Sequence, residues 1–327
     1  MKILVTGGTG FTGSHLVRRL LDKGHDVLVL DNQQGIAWDP LQKAGAKLHL
    51  GSVRDRDLLQ RLIPGCDVIY HLAAAFRKVN LPKKVYWDTN VTAMRDMLEI
   101  AHASGVAKVV YCSTQGVHGN IQNPPGNEQS PIKPEDYYQY TKYEGEKVAG
   151  EFVKKGLDLT ILRPTAIYGP GDPGRFLMLF KQVKKGYFPF FGPGTALYHP
   201  LYIDNFLDAF ELAASRPEGR GKAYLIADES YDTIRGIVEK IAAVMGVDLR
   251  IIHLPFWPMY AAAAAVEFLF LPLPVDPPIF RRRADWFRQN RAFTIDHARN
   301  DLGYAPSVTL EDGLRRTYEW YKQNGYL

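Results

Sequence analysis

The stretch YYQYTKYEGEK, residues 137 to 147, sets two tyrosines each four positions ahead of a lysine: Tyr138 with Lys142, and Tyr143 with Lys147. On a helix, residues four apart stack on one face. An ammonium beside a phenol favours the ionised phenol, so either tyrosine could move a proton on an alcohol or ketone oxygen. The spacing alone leaves both pairs open, because an exposed helix rich in tyrosine and lysine is also an ordinary solvated face.

The elements that would have to position such a tyrosine begin at the first residues. KILVTG, residues 2 to 7, is a short apolar, β-branched run of the kind buried in a parallel sheet. It runs into Gly7-Gly8-Thr9-Gly10-Phe11-Thr12-Gly13, then into SHLVRRLLDKG with helical apolar spacing, then into the strand DVLVLD ending at Asp31. Strand, glycine loop, helix and a strand with a terminal acid form the dinucleotide fingerprint in its required context. Glycines let the backbone approach a pyrophosphate, and the helix amino terminus offers free N–H groups and the positive end of its dipole. Asp31 is expected to accept hydrogen bonds from the adenosine ribose hydroxyls. A 2'-phosphate would meet that carboxylate, and Asn32, Gln33 and Gln34 supply no arginine to receive it, so NAD is favoured over NADP.

The alternation continues. KLHLGSV (47–53), DVIYHLAA (67–74), KVVYCST (108–114) and LTILRP (159–164) read as strands, with DRDLLQRLI, NVTAMRDMLEIAHASG and the tyrosine-bearing stretch as helices between them. Repeated βα units of this length predict an α/β fold, a Rossmann-type doubly wound parallel sheet with its ligand crevice at the carboxyl ends of the strands. We expect an NAD-binding domain over residues 1–164. A smaller carboxyl-terminal α/β substrate-binding lobe is expected over 165–327, with some segments returning to the sheet. Past residue 165, YGPGDPGRF, FFGPGTALYHP and PFWPMY read as glycine- and proline-rich loops, GKAYLI as a late strand and YDTIRGIVEKIAAVMG as a covering helix.

Composition narrows the function classes. With 46% hydrophobic and 23% charged residues, the chain is neither disordered nor a membrane bundle, and a net charge of +5 over 327 residues predicts no nucleic-acid partner. Cys66 and Cys112 make no CxxC pair, which fits a reducing compartment. MKILVTGG enters a strand without a signal or transit peptide, so a cytoplasmic location is expected. The apolar run at 260–275 carries Glu267 and two prolines and is too short to span a bilayer. The nine histidines show no HExxH and no close grouping with cysteine, which gives metal chemistry no support.

With these residues in place, the chain resembles the extended short-chain dehydrogenase/reductase family, the NAD-dependent epimerase/dehydratase family, over nearly its whole length. The motifs carrying the likeness are TGGTGFTG, HLAA with Ala73, Asn90-Val91, Ser113-Thr114, YQYTK, LRPTAIYGPGD, YIDN and LGYAP, all in family order. The resemblance implies that Tyr138 is the catalytic tyrosine, since it follows Thr114 at the family's usual distance and Lys142 is preceded by Thr141. Tyr143 lies about 140° further around the helix and forms a surface pair with Lys147. By the same resemblance, Lys142 lowers the phenol pKa and bonds the nicotinamide ribose, Tyr138 moves the proton and Thr114 bonds the substrate oxygen.

Cofactor contacts are expected from Gly7, Gly10, Phe11, Thr12, Gly13, Asp31, Asn32, Ser52, Val53, Ala73, Asn90, Tyr138 and Lys142, with Asn90 equally open as a helix-terminal or packing residue. Ser52 stands where many relatives have an acid beside the adenine. His118 stands where relatives have a tyrosine, and could touch substrate or simply fill that space. Family members often pair through the tyrosine helix and the helix before it, so a homodimer is implied, with MRDMLEIAHA offering apolar residues that could equally cover the sheet.

Substrate identity divides three ways. LRPTAIYGPGD resembles the branch acting on hydroxysteroids, dihydroflavonols and related hydrophobic alcohols or ketones. The stretch PFWPMYAAAAAVEFLFLPLP would suit an apolar ligand or a membrane-surface lid, or form a buried helix of the lobe. Nucleotide-sugar epimerases and dehydratases resemble the first half as closely, down to Asp31-Asn32, but usually carry an asparagine where this chain has Ala166. The basic run Arg281 to Arg283, followed by Arg288 and Arg291, could fork onto a diphosphate or form a solvated face. Ser113, His118, Thr165, Ala166 and Arg283 are the candidate substrate contacts. A non-catalytic NAD-binding sensor or scaffold is the third class; such proteins usually lack the tyrosine or lysine that Tyr138 and Lys142 supply here.

Overall fold

The computed structural model describes residues 1–76, 81–270 and 277–327. The first half runs β1 (Lys2–Thr6), α1 (Phe11–Asp22), β2 (Asp26–Asp31), α2 (Trp38–Lys43), β3 (Lys47–Leu50), α3 (Arg56–Leu62) and β4 (Val68–His71). It continues with α4 (Lys83–Trp87), a π-helical turn (Asp88–Thr92), α5 (Ala93–Ala103), β5 (Lys108–Cys112), α6 (Tyr137–Lys154) and β6 (Leu159–Pro164). Then come β7 (Ala166–Tyr168), α7 (Arg175–Val183), β8 (Tyr187–Phe191), β9 (Leu197–Tyr198), β10 (Pro200–Tyr202), α8 (Ile203–Ser215) and β11 (Ala223–Ile226). The chain closes with β12 (Asp232–Thr233), α9 (Ile234–Met245), β13 (Arg250–Leu254), α10 (Phe256–Phe270), α11 (Arg281–Asp285), α12 (Asp296–Leu302) and α13 (Leu310–Gln323).

Seven parallel strands form one sheet in the order β11-β6-β5-β4-β1-β2-β3. Strand order reverses between β1 and β4, the switch point at which α/β sheets of this kind bind ligands. The central strands are apolar on both faces because helices cover both. Leu16, Val17 and Leu20 of α1, with Phe206 and Phe210 of α8, close one side. Met94, Met97 and Leu98 of α5, with Val148, Ala149 and Phe152 of α6, close the other. β11 returns from the second half of the chain to extend the sheet beside β6.

Three expectations need correcting. PFWPMY is not a loop but the start of α10: Pro258 falls in the first turn, where an N–H has no helical partner, and five alanines, the best helix formers, follow. Nor is α10 buried in the lobe, since only Ala263 of its residues is. The remainder of the apolar run, 271–275, lies outside the described residues. FFGPGTALYHP holds short strands as well as turns, with β9 pairing β12 and β8 pairing β13. The apolar residues of MRDMLEIAHA are spent under the sheet's cover, while the outer side of α5 and α6 carries the Arg95–Glu151 ion pair at 2.7 Å.

Candidate active site

The glycine loop is shaped by two close approaches. Gly7 has φ +73°, and a Cβ there would come 2.8 Å from the backbone N of Ala73. A Cβ on Gly13 would come 2.1 Å from the Gly7 carbonyl oxygen, so α1 can pack this near β1 only through glycine. A Cβ on Gly10 would meet nothing nearer than that same oxygen at 3.4 Å, which leaves an open surface at the start of α1. Gly10 is the N-cap of α1 and provides no side-chain cap, so the first-turn N–H groups of α1 are available to a ligand. Asp31, buried at the end of β2, accepts from the Thr9 N–H (3.0 Å) and hydroxyl (2.7 Å), both on Oδ2. Its charge thereby clamps the loop to the strand that follows.

Ser52 Oγ, just past β3, accepts from the Arg54 N–H at 3.2 Å, Val53 is buried against the sheet, and Asn32 is exposed just beyond β2. The Ala73 N–H donates to Thr6 Oγ1 at 3.2 Å, which fixes the end of β4 against β1. Gly7, Gly10, Phe11, Thr12 and Gly13 share one cavity of about 940 Å³ with Ser113, Thr114, Tyr138, Lys142, Thr165, Ala166 and Arg283. Asp31, Asn32, Ser52, Val53, Ala73, Asn90 and His118 are not on its wall.

Tyr138 and Lys142 sit on the buried face of α6, which Asp136 caps by accepting from the Gln139 N–H at 2.8 Å. The Lys142 ammonium donates to the Cys112 carbonyl at 2.8 Å and stands 4.2 Å from the centre of the Tyr111 ring. Burial pulls its pKa from 10.5 down to about 8, against the opposing pull of Cys112 and Glu146. The Tyr138 ring meets Phe76 edge-to-face at 5.1 Å. Thr114 Oγ1 accepts from the Gly116 N–H at 3.0 Å, which leaves its hydroxyl hydrogen to donate. Tyr143 lies on the outer side, with the Lys147 ammonium 4.9 Å over its ring.

Asn90 acts behind the wall. Its Oδ1 accepts from the Ala75 N–H at 2.8 Å and its Nδ2 donates to Thr141 Oγ1 at 3.0 Å, tying the loop after β4 to α6. His118 is likewise withdrawn. Its Nδ1 lies 3.0 Å from the Ser130 carbonyl and its Nε2 3.1 Å from Arg163 Nη1, so both ring nitrogens are engaged away from the cavity. His118 is therefore not among the residues that the structure brings to the cavity wall. Burial, then the Arg163 charge, lowers its pKa.

Sequence reasoning missed the pair at the centre of this network. Glu146 and Arg163 are both buried and joined by two hydrogen bonds, Nε to Oε1 at 3.0 Å and Nη2 to Oε2 at 2.6 Å. Ser113 Oγ donates to Glu146 Oε1 at 2.5 Å, which links the cavity wall to the pair. Two signals were present: Tyr138, Lys142 and Glu146 recur every fourth residue, and Arg163 interrupts an apolar strand where a charge must find a partner.

Beyond the glycine loop and the Tyr138–Lys142 face, the lining is largely apolar, with Ile167, Phe176, Met178, Phe188, Phe191, Phe280, Trp286 and Phe287. Four guanidiniums interrupt it. Arg175 stacks 4.8 Å from the Trp286 ring, Arg282 pairs with Asp136 at 3.4 Å, Arg283 donates to the Pro278 carbonyl at 2.7 Å, and Arg291 donates to Gln289 at 2.5 Å. Arg281 is off this wall and pairs with Glu267 at 3.1 Å.

A doubly wound sheet with a glycine-rich nucleotide loop at its switch point, opening onto a cavity that Tyr138 and Lys142 share, defines a dinucleotide-dependent enzyme. The model of the NAD dependent epimerase/dehydratase family matches residues 3–227, and the chain belongs to that family, within the extended short-chain dehydrogenases/reductases. NAD is its cofactor, and the open surface at Gly10 with the uncapped start of α1 suits the pyrophosphate.

The chain is 31% identical to a 2-alkyl-3-oxoalkanoate reductase of Stenotrophomonas maltophilia (strain K279a), with 97% of this chain and 98% of that one covered. Among solved structures it resembles a UDP-glucose 4-epimerase of Thermotoga maritima with UDP-glucose, at TM-score 0.80 and 25% identity over 99% of both chains. It also resembles DesIV, a dTDP-glucose 4,6-dehydratase of Streptomyces venezuelae with NAD and TYD bound, at TM-score 0.79 and 27% identity over 99% and 98%.

Proposed function

We propose that the enzyme transfers a hydride between NAD and the carbon of a secondary alcohol or ketone in a largely apolar substrate, with Thr114, Tyr138 and Lys142 as the reacting set. The observation carrying this reading is the single cavity that joins the glycine loop to Tyr138 and Lys142 and continues into an aromatic wall. Bound NAD supplies the hydride donor or acceptor carbon. Thr114 donates to the substrate oxygen and places it. Tyr138 gives that oxygen a proton during reduction or takes one during oxidation. Lys142 holds positive charge near the phenol and presents its remaining N–H groups to the nicotinamide ribose. Asp31 receives the adenosine ribose, with Asn32, Ser52 and Val53 around the adenine, while Ala73 and Asn90 hold the loop that flanks the nicotinamide.

The substrate class that fits both apolar wall and guanidiniums is a ketone with alkyl or ring bulk and an acidic group, as in the 3-oxoalkanoate named for the Stenotrophomonas relative. Thr165 and Ala166 would border the reacting centre, Ser113 would support it, and Arg283 or its neighbours would take the acid. Residues 165–327 serve in this reading as the substrate-binding lobe and 1–164 as the cofactor domain. Free Cys66 and Cys112 fit a reducing, cytoplasmic setting. A homodimer through α5 and α6 would have to use their charged outer side, and sedimentation velocity tests it.

A second reading, nucleotide-sugar epimerisation or dehydration, is favoured by the four arginines on the cavity wall. Ala166 weakens it, since a methyl group donates no hydrogen bond to a diphosphate. A non-catalytic sensor has no comparable support. Thermal unfolding of the NAD-saturated protein with added UDP, dTDP or GDP separates the readings. A ligand at about a hundredfold excess over Kd adds about 2.7 kcal/mol. No shift with any nucleotide, together with a shift from 3-oxoalkanoates or sterol ketones, supports the apolar-ketone reading; a clear shift with one nucleotide overturns it.

A further inference from the structure

α10 reverses the usual pattern of a surface helix. Its solvent-exposed positions are Trp257, Pro258, Ala261, Ala262, Ala265, Phe268 and Leu269, a stripe at helical spacing without a single polar side chain. Trp257, Phe268 and Leu269 remain 69%, 72% and 66% exposed. The one charged residue of the helix, Glu267, is turned to Arg281 and neutralised by it. Such a stripe, roughly 18 Å long at about 1.5 Å per residue, is rare on a surface that faces only water.

The flanks of the stripe carry more arginines than acids: Arg281 is paired with Glu267 and Arg288 with Asp285 at 2.7 Å, while Arg283 donates to a backbone carbonyl. Arg281 lies against the end of α10, and the Arg288 guanidinium stands 5.7 Å from the Phe256 ring and 5.6 Å from the Tyr260 ring at its start. Arg283, on the same short helix α11 as Arg281, is exposed. An apolar ridge edged by arginines, with a tryptophan at one end, is the pattern that sinks into the headgroup boundary of an anionic bilayer. A second copy fits less well, because a two-fold contact over this face would bring the net positive charge around Arg283 of both copies together. α11 also joins the ridge to the cavity: Phe280, Arg282 and Arg283 line the cavity wall, so its rim opens beside the ridge.

We propose that α10 and the arginines beside it dock this enzyme peripherally on anionic phospholipid, with the cavity rim at the membrane surface where an apolar substrate can enter. Among the described residues no helix is long and apolar enough to cross a membrane, so the contact is one of lying on the surface. Vesicle binding is measured without turnover, so the test stands or falls independently of the reaction proposed above.

The experiment is flotation of the full, NAD-loaded chain with vesicles of phosphatidylcholine alone and of an equal mixture with phosphatidylglycerol, at low and high salt. The wild type should float with the anionic vesicles and weaken in high salt. Joint Phe268→Ser and Leu269→Ser substitution should reduce binding by about tenfold or more while leaving the NAD-induced thermal shift unchanged. Should that variant fail to fold, quenching of tryptophan fluorescence by brominated lipid in the wild type, reduced in Trp257→Phe, reads the same contact. No flotation at any composition overturns the proposal, as does undiminished flotation of the folded serine variant. So does a wild type that ignores vesicles but self-associates in a manner the serine substitutions abolish.

Discussion

Lys142→Met should stabilise the protein while disabling it. A fall from the ordinary lysine value of 10.5 to about 8 corresponds to roughly 3 kcal/mol of penalty for holding this ammonium in the interior, at about 1.4 kcal/mol per pH unit. Methionine lifts that penalty and keeps a favourable sulfur contact with the Tyr111 ring, but strands the Cys112 carbonyl, which costs about 1 kcal/mol. The net gain near neutral pH is then about 2 kcal/mol. Over a chain this long, that raises Tm by about 3 °C.

The sign follows from proton binding. The unfolded lysine holds its proton up to about 10.5 and the folded one only to about 8, so the wild-type penalty is complete below pH 8 and fades as pH rises towards 10.5. Differential scanning of both proteins at pH 7 and near pH 10 should show the gap at the lower pH and its loss at the higher. Turnover should fall by at least about a hundredfold. A variant less stable than wild type at pH 7, or a gap indifferent to pH, would contradict a stability penalty from the buried Lys142 ammonium.

Further outcomes follow from the same contacts. Arg163→Met leaves Glu146 buried without its counter-charge and should cost about 3–5 kcal/mol in denaturant unfolding, whereas joint replacement of both by apolar residues should recover much of the loss. Gly10→Ala has room for its methyl group and a φ of −71°, so it should fold normally but weaken NAD binding, as isothermal titration would show. Gly13→Ala drives a Cβ onto the Gly7 carbonyl and should lose both folding yield and NAD binding, measured by expression and calorimetry. Tyr143→Phe, on the outer side of α6, should leave turnover unchanged in a steady-state assay.

The nucleotide cradle was legible in the sequence because its constraints are local. Gly7 and Gly13 are demanded by a positive φ and a carbonyl only 2.1 Å away, and both appear as letters at fixed spacing between a strand and a helix. The parallel sheet was legible for a similar reason, since strands buried on both faces read as unbroken apolar runs. The Glu146–Arg163 pair was not, because it joins a helix to a strand and only tertiary packing says which buried charges meet. Asn90 stayed divided between cofactor contact and packing for a related reason: its partners, Ala75 and Thr141, belong to separate elements. α10 was ambiguous because hydropathy reports how apolar a segment is and not what covers it.

In the proposed reaction Tyr138 handles the proton of an NAD-dependent exchange between ketone and secondary alcohol. The most direct test follows NADH consumption by the wild type and by Tyr138→Phe across a panel of 3-oxoalkanoates and sterol ketones, with NADH binding measured on both proteins. The wild type should turn over at least one member, and the phenylalanine variant should lose about 10²–10⁴-fold in kcat with cofactor affinity retained. A phenylalanine variant with full activity on that substrate would contradict this role of Tyr138.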